Sequence, residues 1–239
     1  MKHASPQPPE LRDHDGLSYA LFLPDARPTA GVVIIHGAGS AKESHFDYGR
    51  LCREAGLAAL AFDARGHGRS EGALGASAIE DVVAMCRLLR RHAPQVAVRG
   101  SSLGGWMAIH AAAADPEVAA VVAICPAPEQ LLLRGLRSGD LQGFAVDRPA
   151  LEPMLEEVDL TAAVRRLRAA LLLLHARGDE QVPYTVSEEL HSAAHEPKRL
   201  ILFPGGHHRS LQHDLEVQNL SLRFIADACA ARAAGSPGS

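Results

Sequence analysis

Apolar positions along the chain fall into short, continuous, β-branched runs separated by stretches of helical periodicity. Val32–Ile35 is wholly apolar, the mark of a parallel strand covered on both faces. Similar runs occupy Leu57–Phe62, Val96–Val98, Val118–Ile124, Ala170–Leu174 and Leu200–Phe203. Between them the spacing predicts helices over about 45–55, 78–92, 103–114, 184–195 and 210–231. Leu17–Leu23, ahead of Pro24, reads as an antiparallel edge strand. The alternation breaks once. Between Pro126 and Leu160 two short helical segments, 128–137 and 150–158, are joined by Ser138-Gly139-Asp140 and predict a small cap, about residues 127–160.

Alternating strands and helices imply an α/β fold, a mostly parallel sheet covered by helices on both faces, with the cap as its one insertion. The length of 239 residues suits a single such domain spanning 1–239, with a tail at 233–239 that reads as disordered. In open parallel sheets, sites form beyond the carboxyl ends of the strands, so candidate chemistry is sought there.

Two pentapeptides fit Gly-x-Ser-x-Gly: Gly68–Gly72 around Ser70 and Gly100–Gly104 around Ser102. A nucleophilic serine at a sharp strand-to-helix turn needs small residues two positions away on either side. Ser102 follows a strand directly and opens the helical run Leu103–Ala114, whereas Ser70 lies seven residues beyond its strand. Ser102 is therefore the candidate nucleophile, and Ser101 reads as a turn residue. A serine hydroxyl needs a histidine base oriented by a carboxylate. Asp179 lies on a turn just past the strand ending at Leu174, with Glu180 as its adjacent alternative. His207 and His208 follow the last strand, and spacing alone does not separate them. The Gly-rich stretch His36-Gly37-Ala38-Gly39 and the amide of Leu103 are placed to supply two N–H groups to a developing oxyanion. Arg99 is unusual at the mouth of a buried strand and is expected to reach solvent or pair with a carboxylate. His191, His195 and His213 fall in predicted helices and read as surface residues, and Trp106 as a packing residue.

Taken together, His36-Gly37-Ala38-Gly39, Asp63-Ala64-Arg65-Gly66-His67-Gly68-Arg69-Ser70, Gly100–Gly105, Asp179-x-x-Val182-Pro183 and Pro204-Gly205-Gly206-x-His208 resemble the α/β-hydrolase superfamily. The resemblance covers about residues 15–230 and is nearest to small-cap serine hydrolases of the feruloyl esterase-like and monoacylglycerol lipase-like kinds. It implies a Ser102-Asp179-His208 triad, favours His208 over His207, and assigns the oxyanion amides to Ala38 and Leu103. It also makes the Asp63–Ser70 block a structural loop. Serine rather than aspartate or cysteine at 102 implies acyl transfer to water, on small or medium acyl or aryl esters, with no metal or organic cofactor. A thioesterase or small peptidase would use the same machinery, and a catalytically silent, ligand-binding relative is the reading from another class.

The remaining composition narrows partners. A net charge of −4 without a basic patch argues against nucleic acid. No run approaches the roughly 20 apolar residues of a membrane span, and Met1–Glu10 lacks the apolar core of a signal peptide. Four widely spaced cysteines, Cys52, Cys86, Cys125 and Cys229, read as buried free thiols and suggest a cytoplasmic protein. The cap residues Leu136, Leu141, Phe144, Val146, Leu151, Met154 and Leu155 suggest an apolar acyl pocket.

Overall fold

A computed structural model describes residues 7–235. Eight strands form one sheet: β1 (Glu10–His14), β2 (Leu17–Phe22), β3 (Gly31–Ile35), β4 (Ala58–Phe62), β5 (Val96–Ser101), β6 (Val118–Ile124), β7 (Ala170–Ala176) and β8 (Lys198–Phe203). Their spatial order is β1-β2-β4-β3-β5-β6-β7-β8, parallel from β4 onward and antiparallel at β1–β2 and β2–β4. The continuous apolar runs divide by parity between the two faces. Val33 and Ile35 enter one core with Leu171 and Leu173, while Val32 and Ile34 enter the other with Leu172 and Leu174. Strands buried on both sides need apolar residues at every position, which is why they were legible as runs.

The helices are α1 (Phe46–Glu54), α2 (Ala78–Leu89), α3 (Leu103–Ala114), α4 (Glu129–Ser138), α5 (Arg148–Glu157), α6 (Leu160–Arg166), α7 (Thr185–Ala193), α8 (Ser210–His213) and α9 (Leu215–Gly235). Helix α3 is buried from Leu103 to Ala112 and packs against β5, β6, α2 and α6. Among the described residues no helix is long and apolar enough to cross a membrane. All four cysteines are free and buried.

Several expectations need correction. Leu17–Phe22 is antiparallel but is not the edge, because β1 pairs outside it through a hairpin whose turn places Asp15 at φ 51° and Gly16 at φ 77°. Asp-Gly between two extended runs is a strong hairpin signal, here obscured by the exposed, polar sequence of β1. Helix α6 lies between the cap and β7, its start capped by Asp159, which accepts from the Ala162 amide. The last predicted helix is two, divided at Asp214, whose carboxylate caps α9 by accepting from the Val217 amide at 3.0 Å. Helix α9 continues to Gly235, three residues into the segment read as disordered; Ser236–Ser239 lie outside the described residues, as do Met1–Pro6.

The cap helices α4 and α5 do not stand clear of the domain. Leu132, Leu136, Leu151 and Leu155 are buried in the core on the α3 face of the sheet. Backbone bonds from Leu74 N–H to Ala145 O (2.9 Å) and from Ala145 N–H to Gly66 O (3.0 Å) tie the segment to the loop after β4.

The turn between β5 and α3 depends on two absent side chains. A Cβ on Gly100 would lie 2.1 Å from Gly104 O, and one on Gly104 would lie 2.5 Å from both Ile35 O and His36 O. Both obstacles are backbone and cannot rotate away. Gly100→Ala and Gly104→Ala are therefore each expected to lower urea-unfolding stability by about 1–3 kcal/mol. Gly205→Ala, which meets nothing within 4 Å, should stay within about 0.5 kcal/mol of wild type. Equal effects at the three positions would contradict the close-approach argument.

Candidate active site

Ser102 sits where β5 ends and α3 begins, at φ 54° and ψ −118°, a conformation that L-residues rarely adopt. Its amide donates to Ile124 O at 2.9 Å, and its carbonyl accepts from Trp106 N–H at 3.0 Å and Ala127 N–H at 3.2 Å. These bonds anchor the strained residue to β6, to its own helix and to the strand-to-cap connection. Leu103 is the first residue of α3, where first-turn amides lack intrahelical acceptors.

The His36–Gly39 loop passes directly over this turn: a Cβ on Gly37 would lie 3.3 Å from Ser101 O and 3.5 Å from Ser102 Cβ. His36 holds the loop from within. Its Nδ1 bonds to Gly37 O at 2.8 Å, and its Nε2 accepts the Ala64 amide at 3.0 Å, which fixes a neutral tautomer. Burial, its dominant influence, pushes the His36 pKa down to about 4.

Beneath the loop, the buried Asp63 carboxylate accepts from Lys42 Nζ at 2.6 Å, the Lys42 amide at 2.8 Å and the Arg69 amide at 2.9 Å. Burial raises its pKa, but these bonds outweigh burial and hold the carboxyl below its ordinary value. Ser70 belongs to the same scaffold. Its hydroxyl donates to Asp63 O at 2.6 Å and accepts the Ser18 amide at 2.9 Å. The second Gly-x-Ser-x-Gly pattern thus has its hydroxyl committed to backbone.

Asp179 follows β7, and its side chain is fully buried. One carboxylate oxygen accepts the amides of Gln181 (2.9 Å) and Val182 (2.8 Å); the other lies 2.8 Å from His208 Nδ1 and 3.4 Å from His175 Nε2. Burial alone would raise this carboxyl, yet the bonds from His175, His208 and the two amides hold it well below the carboxylate range. Of the two adjacent histidines, His208 is the one bonded to Asp179; His207 is exposed, its Nδ1 accepting the Arg209 amide at 3.3 Å. Glu180 serves the loop instead, accepting the His208 amide at 3.2 Å.

Ser102 and His208 face one cavity of about 270 Å³, with Ala38, Ser101, Gln181, Arg209, Gln212 and His213 among its walls. Ser102 Oγ makes no hydrogen bond among the described residues, so serine and imidazole share the cavity without being hydrogen-bonded to each other. Catalytic hydrogen bonds in ligand-free sites commonly tighten only when substrate arrives.

None of the cap residues expected to form an apolar pocket lines this cavity. Leu136, Leu151 and Leu155 are core residues, and Leu141, Phe144, Val146 and Met154 pack against that core. Gln181, Arg209, Gln212 and His213 were not recognised in the sequence; their signal was proximity to the strand ends that carry Asp179 and His208. Cys125 was missed as well. It directly follows β6, at φ 45°, and its sulfur lies within 4.8 Å of ligating atoms of Asp179 and His208. Burial pushes its thiol pKa far up, so it stays protonated.

Arg99 meets neither of its expected partners. It is 1% exposed and ion-pairs with no carboxylate among the described residues. Its guanidinium stacks over the Tyr48 ring at 4.1 Å and donates to Gln212 O at 3.1 Å. Trp106 is a packing residue, fully buried, with its indole N–H donating to Glu129 at 2.8 Å.

Comparison with known proteins agrees with this architecture. The family model for serine aminopeptidase S33 hydrolases matches residues 26–134. Among curated proteins, uncharacterized YfhR of Escherichia coli K12 is 55% identical over 38 residues, 16% of this chain and 13% of that protein. The human mitochondrial palmitoyl-protein thioesterase ABHD10 is 38% identical over 89 residues, 35% of this chain and 28% of that protein. The chain thus spans less than a third of the length of these two relatives.

Solved structures match nearly end to end. Est1E from Butyrivibrio proteoclasticus, solved with ferulic acid, has a TM-score of 0.73 at 20% identity, covering 94% of this chain and 99% of that one. The Paleococcus ferrophilus monoacylglycerol lipase has a TM-score of 0.69 at 22% identity, covering 92% and 99%. An esterase domain from a Rhodothermus marinus protein has a TM-score of 0.71 at 28% identity, covering 90% and 92%. With the sheet order described above, these matches show the α/β-hydrolase fold, and residues 26–134 are similar to the serine aminopeptidase S33 family.

The buried His36 has a consequence for acid stability. Its native pKa of about 4 lies below the ordinary 6.5. The unfolded chain therefore takes up this proton first, and the stabilisation from neutral His36 is complete above about pH 6.5 and lost as pH falls toward about 4. The stability gap between wild type and His36→Asn is expected to narrow across that window, by roughly 3 kcal/mol at most. Urea midpoints taken from pH 7 to pH 4 measure it, and a pH-independent gap would contradict the assignment.

Proposed function

We propose that this protein is a serine esterase that cleaves small or medium acyl or aryl esters through an acyl-enzyme intermediate. The observation that carries the reading is the pairing of a strained Ser102 with the His208–Asp179 couple across one cavity. His208 takes the Ser102 proton as the hydroxyl oxygen attacks the ester carbonyl. Asp179 holds the imidazole by its Nδ1–H and favours the imidazolium that forms, leaving Nε2 to face the serine. The Ala38 and Leu103 amides receive the oxyanion. The tetrahedral intermediate collapses as the imidazolium protonates the departing alcohol. Water, activated by the same imidazole, then attacks the acyl-enzyme and releases the carboxylic acid. No step calls for a metal or an organic cofactor.

The deep Asp179 environment supports a carboxylate that stays ionised throughout, as an orienting partner must. The modest cavity supports short or compact acyl groups. A thioesterase reading draws support from the partial match to the human thioesterase, and thioesters belong in the same substrate series. A cytoplasmic location goes with the reading, resting on four free, buried cysteines.

The test compares variants on p-nitrophenyl butyrate. Ser102→Ala and His208→Ala are each expected to lower kcat by at least about 1,000-fold. Asp179→Asn should fall by about 100- to 10,000-fold. Ser70→Ala and His207→Ala should remain within about tenfold of wild type at temperatures where circular dichroism shows them folded. Near-full activity in Ser102→Ala, or loss in His207→Ala matching His208→Ala, would overturn the assignment.

A further inference from the structure

The candidate cavity has a charge character that the triad does not require. Among the residues that line it none is acidic, and Arg209 is its one permanent cation. The Arg209 side chain makes no hydrogen bond or ion pair with any described residue; only its backbone amide is engaged, by His207. It directly follows His208 and lines the same cavity.

A second cation lies underneath. Arg99 is buried without a counter-carboxylate, and its Nη2 donates at 3.1 Å to the backbone of Gln212, a cavity residue. Its field reaches the cavity wall: after burial itself, the Arg99 charge is the main influence lowering the pKa of His213, which lines the cavity.

Carboxylates stand near the cavity but not in its lining, and Asp47 acts on His213 against the Arg99 charge, less strongly. Asp179 is turned away into its bonds with His208 and two amides. Glu180 accepts the His208 amide, Glu43 lies 3.2 Å from the Lys42 ammonium that also binds Asp63, and Asp47 pairs with Arg50 at 2.7 Å. The remaining side chains on the wall, among them Gln181, Gln212 and Ser40, are neutral hydrogen-bonding groups. The lining is therefore polar, with Arg209 as its one permanent charge.

We propose that the site selects esters carrying a carboxylate on the acyl or alcohol portion, with Arg209 as the residue that receives the anion. The proposal rests on the esterase reading above and names its substrate class. A planar guanidinium with free N–H groups donates two parallel hydrogen bonds to a carboxylate. The polar wall disfavours alkyl chains that would leave Gln181 and Gln212 desolvated without partners. Because Arg209 is exposed, the attraction is screened by salt.

The test uses matched anionic and neutral esters: monomethyl succinate against dimethyl succinate for the acyl side, and 4-acetoxybenzoate against 4-acetoxybenzamide for the alcohol side. Wild type is expected to prefer the anion at least tenfold in kcat/KM in one pair or both, mainly through KM, with the preference shrinking in 0.5 M salt. Arg209→Gln should bring the ratio close to one, and Arg209→Lys should restore part of it. A ratio near one or below in both pairs, or a preference undiminished in Arg209→Gln, overturns the proposal while leaving the esterase reading intact.

If no ester is turned over, the esterase reading fails by itself and binding decides the anion site. NMR titration should then show succinamate binding wild type at least tenfold more tightly than neutral succinamide, with that difference lost in Arg209→Gln. Equal binding, or no binding of succinamate, overturns the proposal.

Discussion

The backbone of Ser102 is forced into the left-handed half of conformational space by how tightly β5, β3 and α3 converge, and the rest of the site is arranged around that turn. A parallel strand that feeds directly into a helix must reverse within two residues. Here the helix starts so close to the sheet that Gly100 lies against Gly104 O and Gly104 against the carbonyls of Ile35 and His36. The contact places the His36–Gly39 loop over Ser102, which brings Ala38 to the cavity. The cost of the strained serine is met by its three backbone hydrogen bonds and by a helix that is buried nearly throughout its length. Strain of this kind persists only where the surroundings over-determine it.

Buried polar groups finish the arrangement. Asp63 and Lys42 pin the His36–Gly39 side of the cavity, and Asp179 gathers His175, His208 and two amides on the other. Arg99 links the turn to the opposite wall, since it lies in β5 just before Ser102 and donates to Gln212 beyond His208. The strand that aims the serine therefore also braces the segment that carries the imidazole. The same guanidinium ion-pairs with no described carboxylate and donates to the wall of a cavity with no acidic lining, so scaffold and electrostatics share one residue.

Much of this was legible in the sequence because the physics is local. Runs such as Val32–Ile35 and Val118–Ile124 mark strands buried on two faces, and the strand-to-helix context separates Ser102 from Ser70 without coordinates. What failed to show depends on contacts distant in the chain. The choice between His207 and His208 turns on which ring reaches Asp179, 29 positions from His208. Arg99 was expected to find a carboxylate and instead uses a tyrosine ring and a carbonyl 113 positions away. The apolar cap residues were read as a pocket, but amphipathic helices bury that face in the core whether or not a ligand lies beneath. The first strand was hidden because an exposed edge needs no apolar residues, although its Asp15-Gly16 turn was in plain view.

The central claim is that the hydroxyl at this one strained turn is the reacting group, and covalent trapping tests it most directly. A fluorophosphonate, which reacts with activated serines, can be incubated with the folded protein and its adduct located by peptide mass mapping. The account predicts a single stoichiometric adduct on Ser102, abolished when Asp179 or His208 is replaced. An adduct on Ser70 or Ser101, or folded protein that remains unlabelled, would contradict it.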